Sequence, residues 1–237
     1  MERNCTTRTE KLIGAAGVEL LAAKAVLVFG LGGVGSFAVE ALARAGIGRL
    51  ILVDKDVYDE SNVNRQLGAL AETIGRKKTD VMAERVRSIN PDIIAETYYK
   101  FFLPAEDMTF IADMKPDYIV DAVDTVSAKL GIVEAAYAGK IPVISSMGAG
   151  NKLHPELFEL SYIEKTSVDP LAKIMRKKLK EKGIRRLKVV YSKERPLPPL
   201  TDDGPGHAGP GSISFVPSVA GLIMAGAVVR DLLGIDN

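Results

Sequence analysis

The chain has little cysteine, histidine and tryptophan. Among its 237 residues there are one cysteine, Cys5, two histidines and no tryptophan. One cysteine cannot form a disulfide within a chain, and it cannot supply the paired cysteines of a zinc ribbon. The sequence therefore excludes a disulfide scaffold and a cysteine-based zinc site within one chain.

Long uncharged apolar runs are also missing. Residues 2–4 are charged or polar, and no apolar stretch typical of a secretory signal follows them. The longest apolar run, 216–233, contains Arg230 and Asp231, so it falls short of the roughly 18 uncharged residues of a membrane span. We therefore expect a cytoplasmic protein with no membrane segment, and we interpret the run 216–233 as a buried core helix.

Composition and pattern predict the fold class. Hydrophobic residues make up 47% and charged residues 26% of the chain, values near those of globular proteins, which excludes disordered, collagen-like and coiled-coil classes. Apolar strand-like runs alternate with helical periods. Strands are predicted over 25–29, 50–53, 93–99, 118–123 and 141–145, and helices over 34–45 and 126–138. This alternation predicts an α/β, Rossmann-like, mostly parallel sheet flanked by helices.

The C-terminal part predicts additions to this sheet. Extra strands are predicted over 157–163 and 187–191, and an extra helix over 170–182. That helix carries an apolar stripe of Leu171, Ile174, Met175 and Leu179. The stretch 192–211 holds five prolines and four glycines, so we predict a mobile crossover loop there.

A glycine-rich stretch joins the first strand to the following helix, with glycines at Gly30, Gly32, Gly33 and Gly35. Glycines permit a tight turn and a close approach of the backbone to an anion, and the helix N-terminus supplies N–H groups and a positive dipole end. Asp54, at the end of the second strand, is placed to accept hydrogen bonds from a ribose. The pattern indicates a nucleotide but does not distinguish NAD from ATP.

The polar residues elsewhere favour ATP. A dehydrogenase needs a proton-transfer group, but none of the seven tyrosines has a lysine four residues on, and both histidines lie in stretches flanked by glycine or proline. Instead, polar clusters lie at 54–56, 61–66, 75–78 and 121–124. Cations and carboxylates at the carboxyl ends of strands suit a triphosphate and its Mg²⁺, because phosphoryl and nucleotidyl transfer depend on positioning and charge neutralisation.

Together these residues resemble the ThiF/MoeB/ubiquitin-activating-enzyme adenylation superfamily over about residues 8–150. The matching motifs are Gly-x-Gly-Gly-Val-Gly at 30–35, Leu-Ala-Arg-Ala-Gly-Ile-Gly at 42–48, Asp-x-Asp at 54–56, Asn-x-x-Arg-Gln at 62–66, Gly-x-x-Lys at 75–78 and Asp-x-x-Asp at 121–124, followed by Lys129. Such enzymes use ATP to adenylate a substrate carboxylate, with release of pyrophosphate. The resemblance therefore implies ATP and Mg²⁺ as cofactors.

The resemblance also implies roles for individual positions. Asp54 would hold the ribose, and Asp124 the Mg²⁺. Arg8 looks like the arginine that the partner subunit of a homodimer contributes; the alternative is a surface residue ahead of the first helix. The implied catalytic residues are Arg8, Arg65, Lys78 and Asp124. The implied nucleotide-binding residues are Gly30, Gly32, Gly33, Gly35, Asp54, Asp56, Asn62, Arg65, Gln66, Lys78 and Asp124, of which Asn62, Arg65 and Lys78 would contact phosphates.

The segments 145–152, 165–173 and 210–221 resemble the tRNA threonylcarbamoyladenosine dehydratase branch. Members of that branch activate the threonyl carboxylate of a modified adenosine in tRNA and close it into a ring. Attack from within the substrate has a high effective molarity and needs no enzyme cysteine.

Since the resemblance covers nearly the whole chain, we expect a single adenylation domain over 1–237, with a nucleotide-binding core over about 8–150 and a substrate-facing part over about 151–237.

The segment 171–188 is strongly basic. It carries nine Lys or Arg against one acid, a charge of +8 against −7 for the rest of the chain, which indicates a polyanionic partner. The predicted tRNA contacts are Lys173, Arg176, Lys177, Lys180, Arg185 and Arg186. The alternative is the ordinary solvated face of an amphipathic helix.

Two other functions stay open. One is an adenylyltransferase for the C-terminus of a ubiquitin-like sulfur-carrier protein, although such enzymes carry zinc-binding Cys-x-x-Cys pairs that this chain lacks. The other is a Rossmann protein that either binds a nucleotide without catalysis or has a redox function. Such a protein has no evident use for Arg65, Lys78 and Asp124 together. The sequence also leaves open whether a sulfur-transfer partner protein docks.

Overall fold

The computed structural model of the protein describes residues 5–102, 104–198, 200 and 209–235. The strands are β1 Ala25–Phe29, β2 Arg49–Asp54, β3 Ile94–Tyr99, β4 Tyr118–Asp121, β5 Val143–Ser146, β6 Phe158–Tyr162 and β7 Lys188–Ser192. The α-helices are α1 Thr7–Ala22, α2 Gly35–Ala45, α3 Lys78–Ile89, α4 Pro104–Met114, α5 Val126–Ala138, α6 Pro170–Glu181 and α7 Phe215–Leu233.

The seven strands form one sheet in the order β3-β2-β1-β4-β5-β7-β6. Every neighbouring pair is parallel except β6 and β7, which are antiparallel. From β1 the chain first builds outward through β2 and β3, and it then returns to place β4 on the other side of β1. This reversal opens a crevice at the carboxyl edge of the sheet, where α/β proteins bind ligands. The predicted Rossmann-like, mostly parallel fold with extra C-terminal strands and a helix is confirmed.

Two apolar cores cover the two faces of the sheet. In β1, Val26 and Val28 face a core shared with α1, α2, α3 and α7. Leu27 and Phe29 face a second core, shared with α4, α5 and α6. A parallel strand covered on both faces requires a continuous apolar run, which is why β1 could be recognised from its sequence.

Helix α7 completes the first core. It packs along α2, where a Cβ atom on Gly221 would come within 2.2 Å of the carbonyl oxygen of Val34. By length and composition, Phe215–Leu233 is the one helix of the described ranges that could cross a membrane, and half of its most apolar window is buried. Its packing confirms the predicted core helix.

Several predictions of secondary structure need correction. The sequence patterns predicted neither α3 nor α4. The strand predicted over 118–123 ends at Asp121, and the one predicted over 141–145 begins at Val143. Helix α1 starts at Thr7, so Arg8 lies in its first turn and not ahead of it.

The apolar stripe of α6 is also different. Ala172, Met175 and Leu179 form its buried face, whereas Ile174 is 44% exposed. One apolar position of the predicted stripe therefore lies on the charged side of the helix. The mobile loop predicted over 192–211 falls partly outside the described residues.

Candidate active site

A cavity of about 450 Å³ opens at the carboxyl edge of the parallel strands, beside the reversal of strand order. It is lined by the ends of β1, β2, β3 and β4, by the segment after β5 and by the segment before α7. Its lining brings together ten of the residues predicted from the sequence: Gly30, Gly32, Gly33, Asp54, Asp56, Asn62, Arg65, Gln66, Lys78 and Asp124.

The glycine loop lies between β1 and α2 and contributes to the cavity lining. Gly30 has a φ of +86°, and a Cβ atom there would come within 2.7 Å of the carbonyl oxygen of Ala122, so the loop path requires glycine. Gly35 lies outside the lining, and a Cβ atom on it would come within 1.8 Å of the carbonyl oxygen of Gly30. Gly35 therefore lets α2 begin directly against the loop, where its N–H groups and dipole favour an anion.

Asp54 is buried at the end of β2 and is held by two backbone amides. Its Oδ2 accepts a hydrogen bond from the Leu31 N–H at 2.6 Å, and its Oδ1 accepts one from the Asp56 N–H at 2.8 Å. Burial raises the pKa of Asp54 above its usual range, opposed by the charge of Lys78 and by the two amides. A carboxylate fixed in this way suits a hydroxyl donor.

Lys78 is the first residue of α3, and its side chain is buried. Its Nζ lies 3.5 Å from Oδ2 of Asp56, whose Oδ1 accepts a hydrogen bond from Lys55 Nζ at 2.7 Å. Although burial acts in the opposite direction, the two ammonium groups lower the pKa of Asp56. The cavity therefore holds a cation whose charge the neighbouring carboxylate only partly balances.

A short turn presents Asn62, Arg65 and Gln66. Asn62 is fixed through its Oδ1, which accepts a hydrogen bond from the Asp59 N–H at 3.3 Å. Arg65 Nη1 donates to the carbonyl oxygen of Ser61 at 2.8 Å. Gln66 is buried, and its Oε1 has no hydrogen-bond partner among the described residues. The turn therefore offers the cavity one guanidinium, while the unpartnered amide oxygen of Gln66 is buried.

The two aspartates that follow β4 have different environments. Asp124 is exposed in the cavity lining, and its Oδ1 accepts a hydrogen bond from Thr125 Oγ1 at 3.2 Å. Asp121 is fully buried, and its Oδ2 contacts Lys129 Nζ at 3.0 Å and Ser145 Oγ at 2.6 Å. The expectation that Asp121 belongs to the triphosphate cluster is therefore wrong, because its strand position turns the carboxylate into the core.

Sequence reasoning missed both ends of the cavity. At one end lie Lys55, Lys100, Phe101 and Phe102, and at the other lie Ala149, Gly150, Gly209, Pro210, Ser212 and Pro217. Residues 100–102 directly follow β3, so the rule that ligands bind at carboxyl ends of strands could have found them. Apart from Gly209, the second group lies in the segments 145–152 and 210–221, which the resemblance to the dehydratase branch singled out without assigning them to the cavity.

Arg8 and the basic segment lie outside the cavity lining. Arg8 is exposed on α1, and Lys173, Lys177 and Lys180 are exposed on α6. Arg176 differs, because its Nη1 donates to the carbonyl oxygen of Thr166 at 2.9 Å and to its Oγ1 at 2.6 Å.

The last two predicted tRNA contacts follow α6. Arg185 and Arg186 are both exposed, and the guanidinium of Arg186 lies 4.8 Å from the ring centre of Tyr162. Five of the six predicted contacts are therefore exposed, and we refer to them as the exposed basic surface: Lys173, Lys177, Lys180, Arg185 and Arg186.

The fold and the cavity together define a nucleotide-binding α/β protein. The sequence profile of the ThiF family matches residues 6–237, and the chain therefore belongs to the ThiF family. The tRNA threonylcarbamoyladenosine dehydratase of Bacillus subtilis (strain 168) is 45% identical over 242 residues, covering 96% of this chain and 94% of that protein.

Solved structures of similar proteins support this family assignment. The structure of the Escherichia coli tRNA N6-threonylcarbamoyladenosine dehydratase in complex with AMP gives a TM-score of 0.89 at 32% identity, covering 96% of this chain and 93% of that one. The same protein in complex with ATP gives a TM-score of 0.87 at 31% identity, with the same coverage of both chains. The resemblance to the dehydratase branch is thereby confirmed.

Proposed function

We propose that the protein is an ATP-dependent dehydratase, which adenylates the threonyl carboxylate of threonylcarbamoyladenosine in tRNA and then closes it into a ring. The observation that carries this proposal is the lining of one cavity by the glycine loop, Asp54, Lys78 and Asp124. A dehydratase of this name matches the chain over nearly its full length, which supports the choice of substrate.

The residues of the cavity suit ATP and the first step of such a reaction. Asp54 accepts hydrogen bonds from the ribose, while Asn62, Arg65 and Lys78 bind the phosphates. The substrate carboxylate attacks the α-phosphorus, a new C(O)–O–P bond forms, and pyrophosphate leaves. Lys78 and Arg65 stabilise the negative charge that develops on the phosphate oxygens.

Ring closure follows on the acyl-adenylate. A nucleophile of the same modified nucleoside attacks the acyl carbon, and AMP leaves with one oxygen of the original carboxylate. The substrate therefore loses the elements of one water. Because the attacking group is already held beside the acyl carbon, the step needs no thiol from the protein.

Mg²⁺ fits the cavity only with the help of ATP. Among the described residues there is no group of three or more His, Cys, Asp or Glu side chains that could hold a metal ion. Mg²⁺ is commonly held by one or two carboxylates together with substrate phosphates. Asp124 would hold the ion, which would neutralise phosphate charge.

The exposed basic surface would bind tRNA phosphates, and two subunits would assemble so that Arg8 reaches the cavity of its neighbour. Arg8 is exposed at the start of α1, which leaves its guanidinium accessible to a second subunit.

Because it acts on tRNA, the enzyme would be cytoplasmic. A sulfur-transfer protein is a further partner to be tested by its effect on the rate.

The test is to incubate the protein with ATP and Mg²⁺ and to add either tRNA bearing threonylcarbamoyladenosine or a ubiquitin-like carrier protein. We expect pyrophosphate release only with the tRNA, and mass spectrometry of the digested tRNA should show the modified nucleoside lighter by one water. Pyrophosphate release with the carrier alone would assign the protein to carrier activation instead.

A further inference from the structure

Asn151 lies where the cavity wall meets the segment that leads to α7. It follows Gly150, which lines the cavity, and its φ of +56° is left-handed, a conformation that asparagine adopts more readily than most residues. Its N–H donates to the carbonyl oxygen of Gly211 at 2.7 Å, and its Oδ1 accepts a hydrogen bond from the Gly211 N–H at 2.6 Å. Its carbonyl oxygen accepts a third bond, from the Leu197 N–H at 2.8 Å.

These bonds fix part of the cavity wall. Pro210 and Ser212 flank the residue bound by Asn151, and both line the cavity. A Cβ atom on Gly150 would come within 2.5 Å of Pro210, so the two sides of the wall are in close contact. A third bond to this segment comes from Asn64, whose Nδ2 donates to the carbonyl oxygen of Ser212 at 2.9 Å.

The residue after Asn151 is anchored on the side away from the cavity, next to α6. The next residue, Lys152, is buried, with its Nζ 3.8 Å from Oδ2 of Asp169. Asp169 in turn caps the basic helix α6, because its Oδ1 accepts a hydrogen bond from the Ala172 N–H at 2.8 Å. Asn151 therefore bridges the cavity wall and a segment anchored to α6.

The strand order gives this wall a position in the reaction. Asp54 ends β2, on one side of the glycine loop, whereas Gly150 follows β5, two strands away on the other side of β1. With the ribose at Asp54 and the phosphates over the glycine loop, the end near Gly150 is left for the incoming carboxylate.

We propose that Asn151 is a positioning residue, which holds the segment 209–212 as the wall against which the substrate carboxylate is presented. This inference rests on the proposed function. Asn151 acts through the segment that it binds, and the expected defect therefore lies in the tRNA-dependent step and not in the binding of ATP.

The test uses two substitutions and a matched control. Asn151→Gly keeps the left-handed backbone but removes the side-chain acceptor, while Asn151→Asp keeps the acceptor. We expect Asn151→Gly to lower kcat/KM for tRNA about fivefold, the effect of one lost hydrogen bond, with the Kd for ATP unchanged, and Asn151→Asp to restore it. The control is Asn90→Gly, which removes an acceptor bound to the Asp92 N–H in a turn before β3 and should match the wild type.

Limited proteolysis provides a second measurement that does not depend on activity. We expect a protease to cut the described parts of this region, 193–198 and 209–212, faster in Asn151→Gly than in the wild type or in Asn151→Asp. The proposal is overturned if Asn151→Gly has the wild-type kcat/KM for tRNA, or if Asn151→Asp shows the same loss of kcat/KM as Asn151→Gly. It is also overturned if the affinity for ATP falls in proportion to the activity. If the wild type releases no pyrophosphate with tRNA, the proposed function is wrong, and so is the proposed role of the wall in presenting the carboxylate. The proteolysis experiment still shows whether Asn151 holds the segment 209–212.

Discussion

Lys129 and Asp121 form a fully buried ion pair, with Lys129 Nζ 3.0 Å from Asp121 Oδ2 and both side chains 0% exposed. Ser145 Oγ donates to the same oxygen of Asp121 at 2.6 Å, so the pair joins α5 to the ends of β4 and β5. The other oxygen of Asp121 accepts a hydrogen bond at 3.3 Å from the N–H of Val123, which lines the cavity. The pair therefore supports the loop that carries Asp124.

Lys129→Met should destabilise the protein strongly. The substitution leaves the carboxylate of Asp121 buried without its cation, and we expect the free energy of unfolding in urea to fall by about 3–5 kcal/mol. Lys24→Met is the control, because Lys24 pairs with Asp117 at a partly exposed site where such pairs contribute about 1 kcal/mol or less. Equal losses in the two variants would contradict the special role of the buried pair.

Lys78→Ala and Asp124→Ala should each abolish adenylation and leave the fold intact. The first removes the buried cation of the cavity, and the second removes the carboxylate proposed to hold Mg²⁺. Pyrophosphate release and the ATP-dependent shift in Tm measure the effect, with Lys77→Ala, at an exposed neighbouring position, as the control. Tight binding of NADH without any thermal shift by ATP would argue against an adenylating site.

Arg8 should complete the active site of a neighbouring subunit. We expect Arg8→Ala and Lys78→Ala to be inactive separately, but a mixture should regain activity once the subunits exchange. In the mixed dimer one of the two sites has both residues, since each subunit supplies what the other lacks. Native mass spectrometry can verify the exchange, and an exchanged mixture without activity would rule out a shared site.

Binding of tRNA should depend steeply on salt through the exposed basic surface. The double variant Lys177→Glu with Arg185→Glu should flatten the slope of log K against log salt by about two units, since each neutralised phosphate contributes roughly −0.9. It should also raise the KM for tRNA and leave the Kd for ATP unchanged.

The control for this experiment reverses Lys24 and Arg44, near the start of β1 and the end of α2, which lie outside both the basic surface and the cavity lining. This control should retain the wild-type slope. A wild-type slope in Lys177→Glu with Arg185→Glu would place the tRNA contact elsewhere.

Glu40 should contribute stability that depends on pH. Burial acts to raise its pKa, but hydrogen bonds from Arg85 and Arg44 lower it below the ordinary 4.5. The stabilisation is therefore present above pH 4.5 and is lost as the pH falls through the lowered value. Glu40→Gln should be less stable than the wild type at pH 7, and urea titrations should show the difference disappearing in acid.

The sequence was most informative where function depends on local patterns. The apolar run of β1, the glycines after it and Asp54 at the end of β2 lie close together along the chain, so their position beside one cavity could be predicted. Asp121 and Asp124 show the limit of this reasoning, because spacing alone cannot tell which carboxylate points into the core. The contact between Asn151 and Gly211 spans 60 residues, so no local pattern predicts it, although the resemblance singled out the segments that contain both residues.

The glycine loop is supported by a helix made much later in translation. A Cβ atom on Gly33 would come within 3.0 Å of Pro217 on α7, and Pro217 also lines the cavity. On the ribosome, the loop leaves the exit tunnel well before α7 has been synthesised, so the contact of Gly33 with Pro217 is missing at that stage. We therefore expect the glycine loop to reach its final packing only when α7 docks.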